Sequence, residues 1–189
     1  MKFTQLEIEG AWLVESQVWP DDRGFFREWF KHDEILKETG LDFSALQANF
    51  SLSHKGVIRG IHYSLAPAGQ AKWVTCVSGS IIDVVVDIRP NSKTFKKVEY
   101  INLEPDDGKA VLISPGLGHG FIAQKDYSGI TYLLSSPFLP NFEYDISPLD
   151  GDLAINWSRA TARLTNFILS PKDESAPPLT VRQAQGKLP

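Results

Sequence analysis

Leu46-Gln47-Ala48-Asn49-Phe50-Ser51-Leu52-Ser53 alternates apolar and polar side chains over eight positions. A period of two belongs to a β-strand, whose successive side chains point to opposite faces. Working outward, 57–63, 72–77, 81–88, 100–103, 111–113, 121–123 and 130–134 read as further short strands, rich in Val, Ile and aromatic residues. Turn residues punctuate them at Ser78-Gly79, Pro90-Asn91-Ser92, Pro105-Asp106-Asp107-Gly108 and Ser114-Pro115-Gly116. Helix signals are scarce. The best is His32 to Gly40, where Asp33 is placed to cap, Ile35 and Leu36 give an apolar face and Gly40 ends the run. The crossover helices of a doubly wound α/β fold are missing, so the pattern predicts an all-β sandwich or jelly-roll barrel with a few short peripheral helices.

No repeat, low-complexity block or Gly/Ser linker divides the chain, which reads as one domain over 1–189. From Ser158 the pattern loosens into an arm containing Pro171, Pro177 and Pro178, with its last residues expected to fray. Hydrophobic residues make up 42%, enough to bury a sizeable core. Nineteen Lys and Arg against 23 Asp and Glu give a net charge of -4. That balance argues against a protein that coats nucleic acid or an anionic membrane, and leaves room for a local cationic pocket. The lone Cys76 excludes an intrachain disulfide and points to the reducing cytoplasm. No apolar run approaches the ~20 residues of a membrane span, and Met1-Lys2-Phe3 opens no signal-peptide pattern.

The chemistry-bearing residues cluster around Val57-Ile58-Arg59-Gly60-Ile61-His62-Tyr63. Arg59 and Lys72 are charges in strand-like runs, where they are costly unless a ligand or partner meets them. Gln47, Asn49, Ser51 and Ser53 give one strand a wholly polar face, and His119 lies in the run 115–121, which reads as a Gly-rich turn entering a strand. In strict alternation Arg59 and His62 face opposite sides; a bulge at Gly60 turns both to one side. Metal-binding cupins present a His-x-His pair, a following Glu and a distal His. Here His62 stands alone, position 64 is Ser64, and no Glu lies between His62 and Glu99. Two histidines do not fill a shell that needs three protein ligands, so the expectation is a cupin-like shape without metal. His62 then suits proton transfer, its tautomer fixed by a carboxylate. Asp83, Asp87, Asp126, Asp145 and Asp173 are all candidates for that partner.

Arg59-Gly60-Ile61-His62-Tyr63, Gln70-Ala71-Lys72, the run from Gly79 to Arg89-Pro90 and Pro115-Gly116-Leu117-Gly118-His119-Gly120-Phe121 together resemble the dTDP-4-dehydrorhamnose 3,5-epimerase family. Asp22-Arg23-Gly24-Phe25-Phe26 and Ser170-Pro171-Lys172-Asp173 fit the same pattern, so the resemblance spans about Gly10 to Asp173 in family order. It implies a metal-free, cofactor-free cupin jelly roll, a homodimer exchanging N-terminal strands, and a dTDP-linked 4-keto-6-deoxy sugar inverted at both carbons flanking the ketone. It further implies His62 as base, Asp173 as its orienting acid, Lys72 beside the C4 oxygen and Tyr132 as proton donor. Arg23, Arg59 and Lys172 are the implied diphosphate contacts. Gln47, Asn49 and Glu28 are implied polar contacts to sugar or nucleoside, Phe26 and Phe138 thymine-stacking residues, and His119 and Glu143 further substrate-side groups.

The chain departs from the family at Phe138, where Tyr is more frequent, and at Ser64, where Gln is frequent. Without a hydroxyl at position 138, the alternative is a mono-epimerase acting at C3 or C5 alone. A catalytically silent sugar-nucleotide binder and a metal-dependent cupin are the rivals from other classes. The set His62, Lys72, Tyr132 and Asp173 speaks against the first, since binding alone requires neither base nor acid.

Overall fold

The computed structural model describes residues 1–160 and 167–189. Strands β1 (Lys2–Gln5), β2 (Ala11–Glu15), β3 (Val18–Asp21) and β4 (Gly24–Arg27) precede helix α1 (His32–Thr39). Eight strands follow: β5 (Gln47–Ser53), β6 (Ile58–Ser64), β7 (Lys72–Ser78), β8 (Ile81–Asp87), β9 (Val98–Leu103), β10 (Lys109–Ile113), β11 (Leu117–Ala123) and β12 (Ser128–Leu134). Strand β13 (Glu143–Asp145) and helices α2 (Pro171–Glu174) and α3 (Leu179–Ala184) complete the described elements, with two 3-10 turns. One sheet runs β1-β2-β10-β7-β12-β5, the other β13-β6-β11-β8-β9, and β3 and β4 form a separate hairpin. Numbered 1 to 8 from β5 to β12, the eight core strands lie in the orders 1-8-3-6 and 2-7-4-5. That is the double Greek key of a jelly roll. The fold is all-β as expected, but the two sheets do not join, so the barrel stays open.

Three apolar clusters explain the strand patterns. All seven residues of β8 are buried because both its faces are covered. Ile81 and Val85 enter the core between the sheets, while Ile82, Val84 and Val86 pack outward beneath Leu153, Trp157 and Leu179. On the far side, Trp73 is fully buried under the N-terminal segment, edge-on to Phe30 at 5.7 Å, its Nε1 donating to the Trp29 carbonyl at 2.9 Å. Each such large side chain contributes on the order of 1.5–3 kcal/mol through burial. Strand β5 reverses the usual sense of its alternation. Its apolar Phe50 and Leu52 are 63% and 48% exposed, and the polar set is turned inward. A polar row facing the interior marks where the molecule keeps a wet space rather than a core.

The bulge expected at Gly60 is present. His119 pairs with His62 and Phe121 with Arg59, so two residues of β6 oppose the single Gly120 of β11. Gly60 sits at φ +127°, and a Cβ there would lie 2.6 Å from the Gly120 Cα and 2.7 Å from the His119 carbonyl oxygen. Glycine is therefore required at the point that swings Arg59 and His62 to the same side.

Three local expectations need correction. Helix α1 starts one residue before Asp33, with Lys31 at the cap, so Asp33 lies in the first turn and complements the dipole instead of capping. Gly40 ends it in a left-handed conformation, as read. Gly118 and Gly120 lie within β11 rather than in a turn, because a Cβ on either would approach Ile61 or Arg59 within 2.8 Å. Finally, the C-terminal end is docked. Leu179 is fully buried and its amide donates to Asp150 at 2.9 Å, and the Tyr63 hydroxyl donates to the Lys187 carbonyl at 2.6 Å. Residues 161–166, in the first part of the expected arm, lie outside the described residues.

Candidate active site

Between the sheets opens a cleft of two adjoining lobes, about 160 and 110 Å³, both lined by His62, Lys72 and Tyr132. Ser51, Arg59 and His119 line the first lobe; Asn49, Gln70, Phe138, Glu143 and Lys172 line the second. The topology dictates who faces whom. His62 and His119 are register partners in the five-stranded sheet. Tyr132 pairs with Val74 and Leu134 with Lys72, which puts Tyr132 and Lys72 on adjacent strands of the opposite sheet. Asn49, directly across from Tyr132, extends this wall with the polar face of β5. A ligand between the sheets therefore meets imidazole on one face and phenol plus ammonium on the other.

Each of the five candidate carboxylates has a distinct partner. Asp173 takes His62: Nε2 lies 2.6 Å from its Oδ1, although 111 residues separate the two in sequence. Asp173 is buried, fixed by the Ser170 hydroxyl donating to Oδ2 at 2.8 Å. Burial pushes its carboxyl pKa up, but the hydrogen bond and charge of His62, with Ser170 and Lys172, outweigh that and hold it below the usual value. An ionised Asp173 accepts the Nε2–H, which leaves Nδ1 with the free lone pair. Asp83 takes His119, Oδ1 to Nε2 at 2.7 Å. Asp87 accepts from Arg89, Ser92 and Thr94 and holds a turn. Asp126 receives the Lys55 amide at the surface, and Asp145 pairs with Arg182.

Lys72 is the electrostatic centre. Burial lowers its ammonium pKa to about 8, despite Glu143 and Asp83 pulling it up, and Lys172 adds to the lowering. Its Nζ reaches only the His62 carbonyl, at 3.4 Å, among the bonds of the described residues. Such a cation has donors to spare for an oxygen placed in the cleft. Glu143 accepts from Ser64 at 3.1 Å and Gln70 at 3.3 Å, so Ser64 serves here as a tether for that carboxylate. Gln47 links strand to loop, bonding Asn49 at 2.9 Å and receiving the Phe138 amide at 2.8 Å.

Four expected binding residues line neither lobe: Gln47, bonded to Asn49 on β5, and three from the N-terminal segment. Arg23, Phe26 and Glu28 belong to the β3–β4 hairpin and its exit, where Arg23 pairs with Asp21, Phe26 packs on Trp19 and Glu28 pairs with Lys31. Phe26 is 64% exposed. Conversely, the sequence reading did not single out Gln70 or Tyr144 as lining residues, nor assign Asp83 to His119. Asp83 carried a signal, being an acid inside the apolar run 81–88. Among the described residues no three His, Cys, Asp or Glu side chains converge as a metal cage, and no helix is long and apolar enough to cross a membrane.

A family model described as dTDP-4-dehydrorhamnose 3,5-epimerase matches residues 5–180. A dTDP-4-dehydrorhamnose 3,5-epimerase of Mycolicibacterium smegmatis is 41% identical over 189 residues, covering 100% of this chain and 91% of that one. The solved rmlC epimerase of Mycobacterium tuberculosis superimposes with a TM-score of 0.95 at 39% identity, covering 100% and 94% of the two chains. A 3'-monoepimerase from Streptomyces bikiniensis, solved in complex with dTDP-quinovose, gives 0.90 at 40% identity over 97% and 91%. The match of nearly the whole chain, in sequence and in overall structure, places this protein in the dTDP-4-dehydrorhamnose 3,5-epimerase family.

Proposed function

We propose that residues 1–189 act as one jelly-roll unit that inverts C3 and C5 of dTDP-4-dehydro-6-deoxy-D-glucose, giving dTDP-4-dehydro-L-rhamnose. The observation that carries this reading is the His62–Asp173 pair on one wall of a cleft whose other wall holds Lys72 and Tyr132. The C4 ketone acidifies the C–H bonds on either side. His62 Nδ1 takes the proton, the bonding electrons move into the enolate, and the Lys72 ammonium stabilises the charge on the C4 oxygen. Tyr132 donates a proton from the opposite sheet, hence to the opposite face of the ring. Arg59 and Lys172 supply charge-assisted contacts to the diphosphate. Gln47 and Asn49 present polar contacts to sugar or nucleoside, Phe138 offers an exposed ring to thymine, and His119 and Glu143 line the sugar end.

The remaining contacts come from a second copy. Phe25, Phe26, Phe50 and Leu52 are exposed on the N-terminal hairpin and the outer face of β5, an apolar surface suited to a homodimer. In that dimer the hairpin delivers Arg23, Phe26 and Glu28 to the partner's cleft. A reducing cytoplasm fits the free, buried Cys76.

The test is product stereochemistry: NMR of the sugar nucleotide formed by the purified chain from the 4-keto substrate is expected to show both centres inverted. Inversion at one centre alone favours the second reading, a mono-epimerase, for which the missing hydroxyl of Phe138 is the specific observation. An unchanged substrate rejects both. Tyr132→Phe separates the two half-steps. Abstraction by His62 survives, but the protonated imidazole exchanges with water and returns the proton to the same face. Solvent deuterium is therefore expected to enter the substrate while net inversion fails. Undiminished inversion removes Tyr132 as donor.

A further inference from the structure

We infer that Arg182 is a positioning residue for the His62–Asp173 pair, acting from outside the cleft through the carboxylate of Asp145. The inference rests on the epimerase reading above for its kinetic consequences, while its structural part stands on the geometry alone.

Asp145 lies on β13 directly opposite His62 in the antiparallel register, so it shares a rung with the base. Its carboxylate is buried and joins two separate C-terminal helices to that rung. Oδ1 accepts from the Arg182 guanidinium of α3, whose Nε also donates to the Asp145 carbonyl at 2.8 Å. Oδ2 faces Lys172 Nζ of α2 at 3.6 Å, and Lys172 directly precedes Asp173. The guanidinium is itself held, 5.4 Å over the ring of Tyr144, which stacks on Tyr63 at 5.8 Å. Arg182 lines neither lobe of the cleft, and its side chain is only 16% exposed.

The consequence follows from the charges. Asp145 is satisfied at one oxygen by Arg182 and shared at the other with Lys172. Without Arg182 the buried carboxylate has Lys172 as its remaining ion-pair partner among the described residues, and the carboxylate's need for a partner then falls on that side chain alone. Lys172 is drawn inward, α2 shifts against β6, and Asp173 loses its alignment with His62 Nε2. A hydrogen bond that sets both tautomer and ring orientation is lost through a residue that never meets substrate.

Two readouts test this. In kinetics, Arg182→Ala is expected to lower kcat by about 10- to 100-fold, the size of a small misplacement at a reacting centre, with a smaller change in KM. Introduced into Asp173→Asn, the same substitution is expected to cost little more, because the two changes remove one interaction. Equal losses with and without the Asp173 carboxylate overturn the positioning role, as does full activity of Arg182→Ala. In NMR of the ligand-free protein, the His62 Nε2–H bonded to Asp173 is expected to give a far-downfield proton signal that shifts or vanishes in Arg182→Ala. A signal unmoved by the substitution overturns the inference without reference to any substrate. Should Arg182→Ala not fold, Arg182→Gln carries both measurements with the same expected outcomes, since it keeps a hydrogen-bond donor for Asp145 and lacks the charge. A wild-type chain that never turns over the sugar nucleotide counts against the epimerase reading, and the NMR result then decides the role of Arg182 independently.

Discussion

His62→Asn is expected to reduce turnover by about 10²–10⁴-fold, the range for loss of a general base, while dTDP binds as it does to the wild type. The asparagine amide can still donate to Asp173, so the buried carboxylate is not stranded and the fold is retained. What disappears is the basic nitrogen that Asp173 orients on one wall of the cleft, opposite Lys72 and Tyr132. His119, paired with Asp83 at 2.7 Å, lines only the first lobe, whereas His62 lines both. In the proposed function the diphosphate is met by other residues, Arg59 and Lys172 among them, so the ground state is expected to be little affected and the loss to fall on kcat. Calorimetric titration with dTDP and steady-state rates read the two effects separately. Near-normal turnover in His62→Asn contradicts the assignment of the base.

Lys72→Ala carries the second large effect, a loss of about 10²–10³-fold, comparable to removing one preorganised donor from an oxyanion site. Both inversions pass through an enolate on the same C4 oxygen, so both fail together, and solvent exchange into the substrate fails with them. This distinguishes Lys72→Ala from Tyr132→Phe, where exchange continues. Burial gives the Lys72 ammonium a pKa near 8, well below that of a solvated lysine. Below that pH it is charged and supports the enolate; above it the proton is lost and the support with it. The wild-type kcat/KM is therefore expected to fall as pH rises through about 8, and the residual activity of Lys72→Ala to lack that particular limb. A pH profile unchanged by the substitution counts against the role.

Most of the jelly roll was legible in the sequence because its core strands obey simple packing rules. The eight-residue alternation at 46–53 became β5, and the apolar run at 81–88 became β8, buried on both faces. Gly60 announced the bulge, since nothing else in that run tolerates so close a neighbouring strand. Less legible was what depends on distant partners. Periodicity shows that β5 has two faces, not which is inward; the cleft decides that its polar side faces the interior. Strands β1 to β4 were not read from the pattern, and Pro20 within β3 is tolerated because that strand pairs only in a two-stranded hairpin. The docked C-terminus was missed for a similar reason. Residues Leu179, Arg182 and Lys187 look solvated in isolation and are held by Asp150, Asp145 and Tyr63, which come from elsewhere in the chain. The pairing of His62 with Asp173 came from resemblance, since nothing local selects one acid among five.

The most direct test of proton abstraction by His62 is deuterium wash-in. Incubating the 4-keto sugar nucleotide in heavy water with wild-type and His62→Asn protein, and reading C3 and C5 by NMR, is expected to show label at both carbons with the wild type. The variant is expected to show none on the same timescale. A wild-type product carrying no solvent deuterium, or a variant that labels at the wild-type rate, contradicts the mechanism.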